Sequence, residues 1–204
     1  MRGIVIKVNQ GGLRVPRSIL LRKERLTLQG RAIARLIQQR QPPFLSVSAS
    51  QTSFYKRSNF VTHLPVDCLY SPSHFWLRRI EGDRWRIGFT KFATRMLGEI
   101  VDVQFEKKPG DAVTSGEIIG SIEGFKAISD IYCVADGRFV TPNTTLAEDI
   151  EKIGKDPYNI GWLYELDGQP DAKCRDVESY RALLDATIDR MLTKQSNSET
   201  DEHP

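Results

Sequence analysis

Lys126 stands in the run Ser121-Ile-Glu-Gly-Phe-Lys-Ala-Ile-Ser-Asp-Ile-Tyr132, with Glu123 three residues before it and Asp130 four after it. Acylating a lysine amine removes its charge and leaves a neutral amide that bears whatever the acyl group brings. Two carboxylates at this spacing can mark one amine for modification, or attract a cation tethered to it. The plainer alternative is a solvated turn lysine, with Glu123 and Asp130 serving turn solubility and Phe125 and Ile128 supporting a hairpin. No Ser-His-Asp grouping or Gly-rich phosphate loop accompanies these residues, so the pattern gives no support to independent catalysis. Cys68, Cys133 and Cys174 are odd in number, far apart and without C-x-x-C spacing, and read as unpaired thiols of a reducing compartment.

The flanking segments decide between these readings, because Lys126 falls where two short apolar strands must reverse. Turns are expected at Gly110-Asp111 and at Asp136-Gly137, with Gly120 ending a strand, which places Lys126 between two candidate hairpins. Trp85, Ile87 and Phe89 alternate with Arg84, Arg86 and Gly88 after an Glu81-Gly82-Asp83 turn, the period of a half-buried strand. Thr90 to Leu97 predicts a short helix capped by Thr90 and stopped by Gly98. Val101, Val103 and Phe105 predict a strand, as do Trp162, Tyr164 and Leu166, and Thr144–Ile150 predicts a short helix capped by threonine. Val177, Tyr180, Leu184, Ile188 and Met191 recur at three and four residues and predict a C-terminal helix docked on the sheet. The fold class is therefore mainly β, a small sandwich or flattened barrel with short flanking helices and a C-terminal helix.

The net charge of +3 conceals a split: residues 1–60 carry +11, and residues 61–204 carry −8. A basic arm can bind nucleic acid through its phosphates, but this one lacks interleaved aromatics and a reading motif, which argues against that partner. Arg-rich, acid-poor composition also matches an organelle transit segment. Against that stand the strand-like alternation of Gly3-Ile-Val-Ile-Lys-Val8 and the break at Pro42-Pro43, and we favour an over-extended start. The expected organisation is a disordered leader over 1–57, one domain over 58–192 and a disordered tail over 193–204. No run approaches the roughly 18 apolar residues of a membrane span.

The chain resembles the glycine cleavage system H-protein family, whose members hold lipoic acid on one lysine. The motifs are Ile87-Gly88-Phe89-Thr90, Ala93, Leu97-Gly98-Glu99, Glu123 through Asp130, Asp156-Pro157-Tyr158 and Gly161-Trp162, in order and in register from about Leu69 to Met191. The resemblance implies a barrel-sandwich hybrid of the lipoyl/biotinyl type and an N6-lipoyllysine at Lys126, on a carrier that is not itself an enzyme. It implies four partners: a pyridoxal-phosphate glycine decarboxylase, a tetrahydrofolate-dependent aminomethyltransferase, an FAD-containing dihydrolipoyl dehydrogenase and lipoyl-attaching enzymes. It further implies roles for Glu123 and Asp130 in recognition of the modification site, and for Ser73 and Asp130 in a pocket for the loaded arm. Ser73-His-Phe-Trp76 departs from the family's Ser-His-Glu-Trp: Phe75 replaces an acid that helps shelter the cationic arm. His74 reads as structural. A bacterial cytoplasm is expected, or a mitochondrial matrix if the leader is a transit segment. The rival readings are a relative that relays lipoate or serves another redox cycle and, in a different class, a nucleic-acid binder acting through the basic arm. A biotin carrier is disfavoured because Phe125 and Ala127, not methionines, flank the lysine.

Overall fold

Residues 51–200 are described by a computed structural model, with side chains described through residue 194. The chain opens with an antiparallel hairpin of β1 (Thr52–Arg57) and β2 (Phe60–Pro65). The other strands are β3 (Cys68–Tyr70), β4 (Phe75–Glu81), β5 (Arg84–Phe89), β6 (Ile100–Phe105), β7 (Ala112–Val113), β8 (Ile118–Gly124), β9 (Ala127–Tyr132), β10 (Ala135–Pro142) and β11 (Tyr164–Pro170). They form a six-stranded sheet in the order β3-β4-β5-β11-β10-β7 and a three-stranded sheet in the order β6-β8-β9. Phe75, Leu77 and Ile87 from the larger sheet meet Ile119, Ile122 and Ile131 from the smaller one in a single apolar core. Each of these side chains contributes about 1.5–3 kcal/mol of transfer free energy against chain entropy. The mainly β class with flanking helices is what the sequence predicts.

Helix α1 (Lys91–Leu97) begins where expected: Thr90 accepts a hydrogen bond from Ala93 N–H at 3.4 Å, and Gly98 closes the helix at φ 82°. A second donor of its first turn, Lys91 N–H, is taken by the Tyr158 hydroxyl at 3.0 Å. The Trp76 indole donates to Pro157 O at 2.9 Å. Asp156-Pro157-Tyr158 is thus structural, tying β4 and the start of α1 together. The helix expected over Thr144–Ile150 is a 3-10 turn over Thr144–Ala147 capped by Asn143, and α2 (Lys152–Lys155) follows it. Asn143 Oδ1 accepts from Thr145 N–H at 3.2 Å, so the residue before the first threonine takes the capping role expected of threonine.

The turn expected at Asp136-Gly137 is absent: these residues are the interior of β10 (Ala135–Pro142), which follows β9 after Tyr132. Gly137 pairs with Gly168, and a Cβ on either would sit 2.1 Å from the opposite strand's carbonyl oxygen. Glycine serves there for close strand approach, which a turn signal in sequence cannot separate from a reversal.

Both domain boundaries move outward. Residues 52–57, assigned to the leader, form β1: Tyr55 is buried and donates to Asp185 at 2.8 Å, and Arg57 pairs with Asp189 at 2.5 Å. The tail expected from residue 193 continues α3 (Val177–Thr200). Its Val177, Tyr180, Leu184 and Ile188 are buried as predicted, but against Tyr55, Phe60, Leu64, Tyr70 and Trp76, a second cluster that includes the hairpin. The expectations for residues 1–50 and 201–204 lie outside the described residues.

Candidate functional site

Strands β8 and β9 are joined by two residues, Phe125 and Lys126, so Lys126 stands at the hairpin tip as the sequence predicts. The tip is anchored: Phe125 N–H donates to Glu99 O at 2.7 Å and Lys126 N–H to Leu97 O at 3.0 Å. Both bonds need the hairpin to lie against the exit of α1. Gly124 permits this, since a Cβ there would fall 2.4 Å from Leu97 O. Gly98 serves twice, adopting a left-handed φ to end α1 and leaving space for the lysine stem, because its own Cβ would lie 3.0 Å from Lys126 Cγ. The backbone of Lys126 is held on two sides, yet its side chain is exposed and its amine makes no hydrogen bond or ion pair among the described residues.

Cross-strand register sets the surroundings. Glu123 faces Ile128, and Ser121 faces Asp130, so both carboxylates lie on the outer face of the hairpin as diagonal neighbours. Asp130 accepts a hydrogen bond from the Tyr132 hydroxyl at 3.2 Å. Phe125 and Ile128 are not the buried hairpin supports expected from sequence: they are 83% and 74% exposed. Their apolar surface flanks the amine and is available to a partner.

Along β9 from Tyr132 lies a cleft of about 260 Å³ lined by Ser73, Ser115, Tyr132, Cys133, Asp171 and Lys173, among others. Ser73 therefore occupies the cleft, whereas Asp130 touches it only through Tyr132. Asp171 is the carboxylate that sequence reading missed. The Ser115 hydroxyl and the Lys173 N–H both donate to it, and together they lower its carboxyl below the usual range and keep it ionised. Nothing in its sequence context, a loop after β11, distinguishes it from any exposed aspartate.

Phe75 does not face an arm. It is 2% exposed and packs on Phe89 with ring centroids 4.5 Å apart, in the core between the sheets. A charge at that position would be buried, so the exposed ion contact expected from the family's glutamate has no counterpart in this side chain's surroundings. His74, beside it, is structural as expected. Its φ is 65°, its Nδ1 lies 2.9 Å from the Tyr180 hydroxyl, and burial lowers its pKa to about 4. With His74 neutral, Tyr180 can donate to Nδ1 while accepting from Thr90, 3.1 Å away, which joins β4, α1 and α3.

Residues 68–194 match the family model for the glycine cleavage H-protein. The chain is 38% identical over 125 residues to the glycine cleavage system H protein of Corynebacterium jeikeium, covering 60% of this chain and 98% of that one. It is likewise 38% identical, with the same coverage, to that of Listeria monocytogenes serotype 4a. The crystal structure of the H protein from Mycobacterium marinum superposes with a TM-score of 0.54 at 32% identity, covering 58% of this chain and 97% of that one. A pinned, amine-bearing hairpin within a two-sheet fold, matched over this length by sequence and by structure, places the chain in the glycine cleavage H-protein family.

Proposed function

We propose that Lys126 carries a lipoyl group in amide linkage, and that the chain serves glycine cleavage as a lipoyl-bearing carrier that catalyses no step itself. The observation that carries this reading is the tip geometry: an exposed, unpaired amine on a backbone fixed by hydrogen bonds to Leu97 and Glu99. A modifying enzyme meets such an amine in one conformation, which lowers the ordering cost of binding. When attached, the dithiolane supplies the redox and group-carrying chemistry, and the protein supplies presentation and recognition. Glu123 and Asp130, on one face beside the amine, mark this lysine for attachment. Phe125 and Ile128 give partners an apolar contact. Ser73 and Asp171, in the cleft that Tyr132 links to Asp130, offer hydrogen bonds and a negative charge to a cationic load.

The partners in this reading are the pyridoxal-phosphate decarboxylase that loads an aminomethyl group, the aminomethyltransferase that removes its carbon to tetrahydrofolate, the FAD dehydrogenase that reoxidises the dithiol, and the lipoyl-attaching enzymes. A bacterial cytoplasm is the proposed location. No helix among the described residues is long and apolar enough to cross a membrane.

The test is Lys126→Arg. A guanidinium does not form the required amide, so the variant should keep the wild-type fold while losing lipoylation and all carrier activity in a reconstituted system. Lipoyl mass on another lysine, or surviving activity, overturns the assignment. The absent acid at position 75 favours a second reading, in which the chain relays lipoyl groups to other complexes. Transfer of lipoate from Lys126 to an acceptor domain by purified enzymes, without glycine-dependent loading, would select it.

A further inference from the structure

We infer that the groove between β2 and α1 is a resting seat for the uncharged acyl arm of Lys126; this rests on the lipoyl reading above. The groove has a volume of about 280 Å³ and is lined by Phe60 and Val61 from β2, Lys91, Thr94 and Arg95 from α1, and Gly98. Gly98 is the link. It forms part of the groove wall, and a Cβ built on it would lie 3.0 Å from Lys126 Cγ, so a single glycine separates the lysine stem from the groove before any acyl group is added. A flexible chain joined to Nζ has this apolar surface within immediate reach, at the high effective concentration of an intramolecular ligand.

The chemistry of the lining selects the state of the arm. Val61, 47% exposed, provides the open apolar wall, and Phe60, buried and held by an edge-to-face contact with Phe92 at 5.5 Å, backs it. The two charged residues are both cations, and neither has a carboxylate partner among the described residues: Lys91 Nζ donates to Gly154 O at 2.5 Å, and the Arg95 guanidinium donates to Asn59 O at 2.9 Å over the Phe60 ring. An arm ending in a neutral dithiolane fits such a lining, and an arm ending in an ammonium is repelled by it. The Ser73–Asp171 cleft differs in having an ionised carboxylate, Asp171, on its wall alongside Lys173, whereas the groove's charged residues are cations alone. Loading the arm with a cation therefore shifts it out of the groove. Phe60 and Val61 lie upstream of residues 68–194, so this wall belongs to the hairpin that precedes the family-matched region.

The full chain, lipoylated in vitro and verified by mass at Lys126, is compared with Val61→Gln, which puts a polar amide at the groove mouth without changing net charge. The rate of dithiolane reduction by dithiothreitol should rise about fivefold in the variant, because seating protects the oxidised arm in proportion to its bound fraction. In the wild type, the dithiolane protons should give nuclear Overhauser contacts to the Val61 methyl groups, and aminomethyl loading should abolish them. Equal reduction rates, or the absence of those contacts on a chain carrying lipoyl at Lys126, overturns the groove and leaves the carrier reading intact. A chain that never accepts lipoate at Lys126 overturns both.

Discussion

Gly124→Ala tests whether presentation of Lys126 depends on the close approach of the hairpin to the end of α1. The new Cβ would lie 2.4 Å from Leu97 O and 3.0 Å from Leu97 Cβ, and both are parts of a helix exit that cannot swing aside as a flexible side chain would. Gly124 has no left-handed φ, so alanine adds no backbone strain there and the whole cost is steric. Overpacking of this kind costs about 1–3 kcal/mol if the tip stays in place. If the tip lifts instead, the bonds from Phe125 N–H to Glu99 and from Lys126 N–H to Leu97 are lost, at about 0.5–1.5 kcal/mol each. The two routes fall in the same range, and lifting is favoured at the tip because the released N–H groups regain water there, so stability should fall by about 1–3 kcal/mol, or roughly 2–4 °C in Tm for each kcal/mol. The amine is then freed to wander. Loss of its fixed presentation should lower kcat/KM for lipoyl attachment about tenfold, the equivalent of roughly 1.4 kcal/mol. Gly110→Ala supplies the control: its φ is 94° and nothing lies within 4 Å of the added Cβ, so it should destabilise through strain alone and leave attachment kinetics unchanged. Wild-type attachment kinetics in Gly124→Ala, or an equal loss in Gly110→Ala, would refute the dependence on tip geometry.

Three further outcomes are expected. Unfolded His74 takes up a proton near pH 6.5 while folded His74 resists until about 4, so in that window the unfolded state binds more protons; stability should rise with pH across it, be lost by up to about 3 kcal/mol as pH falls, and level off below 4. Urea titrations of His74→Gln should show a flatter slope between pH 6.5 and 4, and an unchanged slope would remove His74 from the account. A chain beginning at residue 58 should be less stable than one beginning at residue 51 by at least about 2 kcal/mol, because Tyr55 burial and its bond to Asp185 go with β1; coincident thermal melts would count against that role for the hairpin. Phe75→Glu should cost about 3 kcal/mol or more by placing a carboxylate in the core, and wild-type denaturant resistance would show that the side chain can escape to solvent.

Local chemistry was enough to place Lys126 at the tip of a hairpin. Glu123-Gly-Phe-Lys126 interrupts two apolar runs of strand period, and a two-residue reversal is the compact way to join such runs. The α1 cap and stop were legible for the same reason, since Thr90 and Gly98 act on backbone groups within four residues of themselves. The stripe from Val177 to Ile188 likewise announced a helix with one buried face. What that face packs against was another matter, because β1 is 120 residues away in sequence and its pairing with α3 through Tyr55–Asp185 and Arg57–Asp189 has no local signature. The same limit hid Asp171, whose ionised state comes from Ser115 on a distant loop, and it misread Gly137, whose purpose is the backbone of β11 lying across from it. Phe75 shows the difference in one residue. Sequence marks it as the place where a family carboxylate is missing, but only the meeting of the two sheets decides that the side chain at that position is enclosed by Phe89 and the core, where desolvation would penalise any charge.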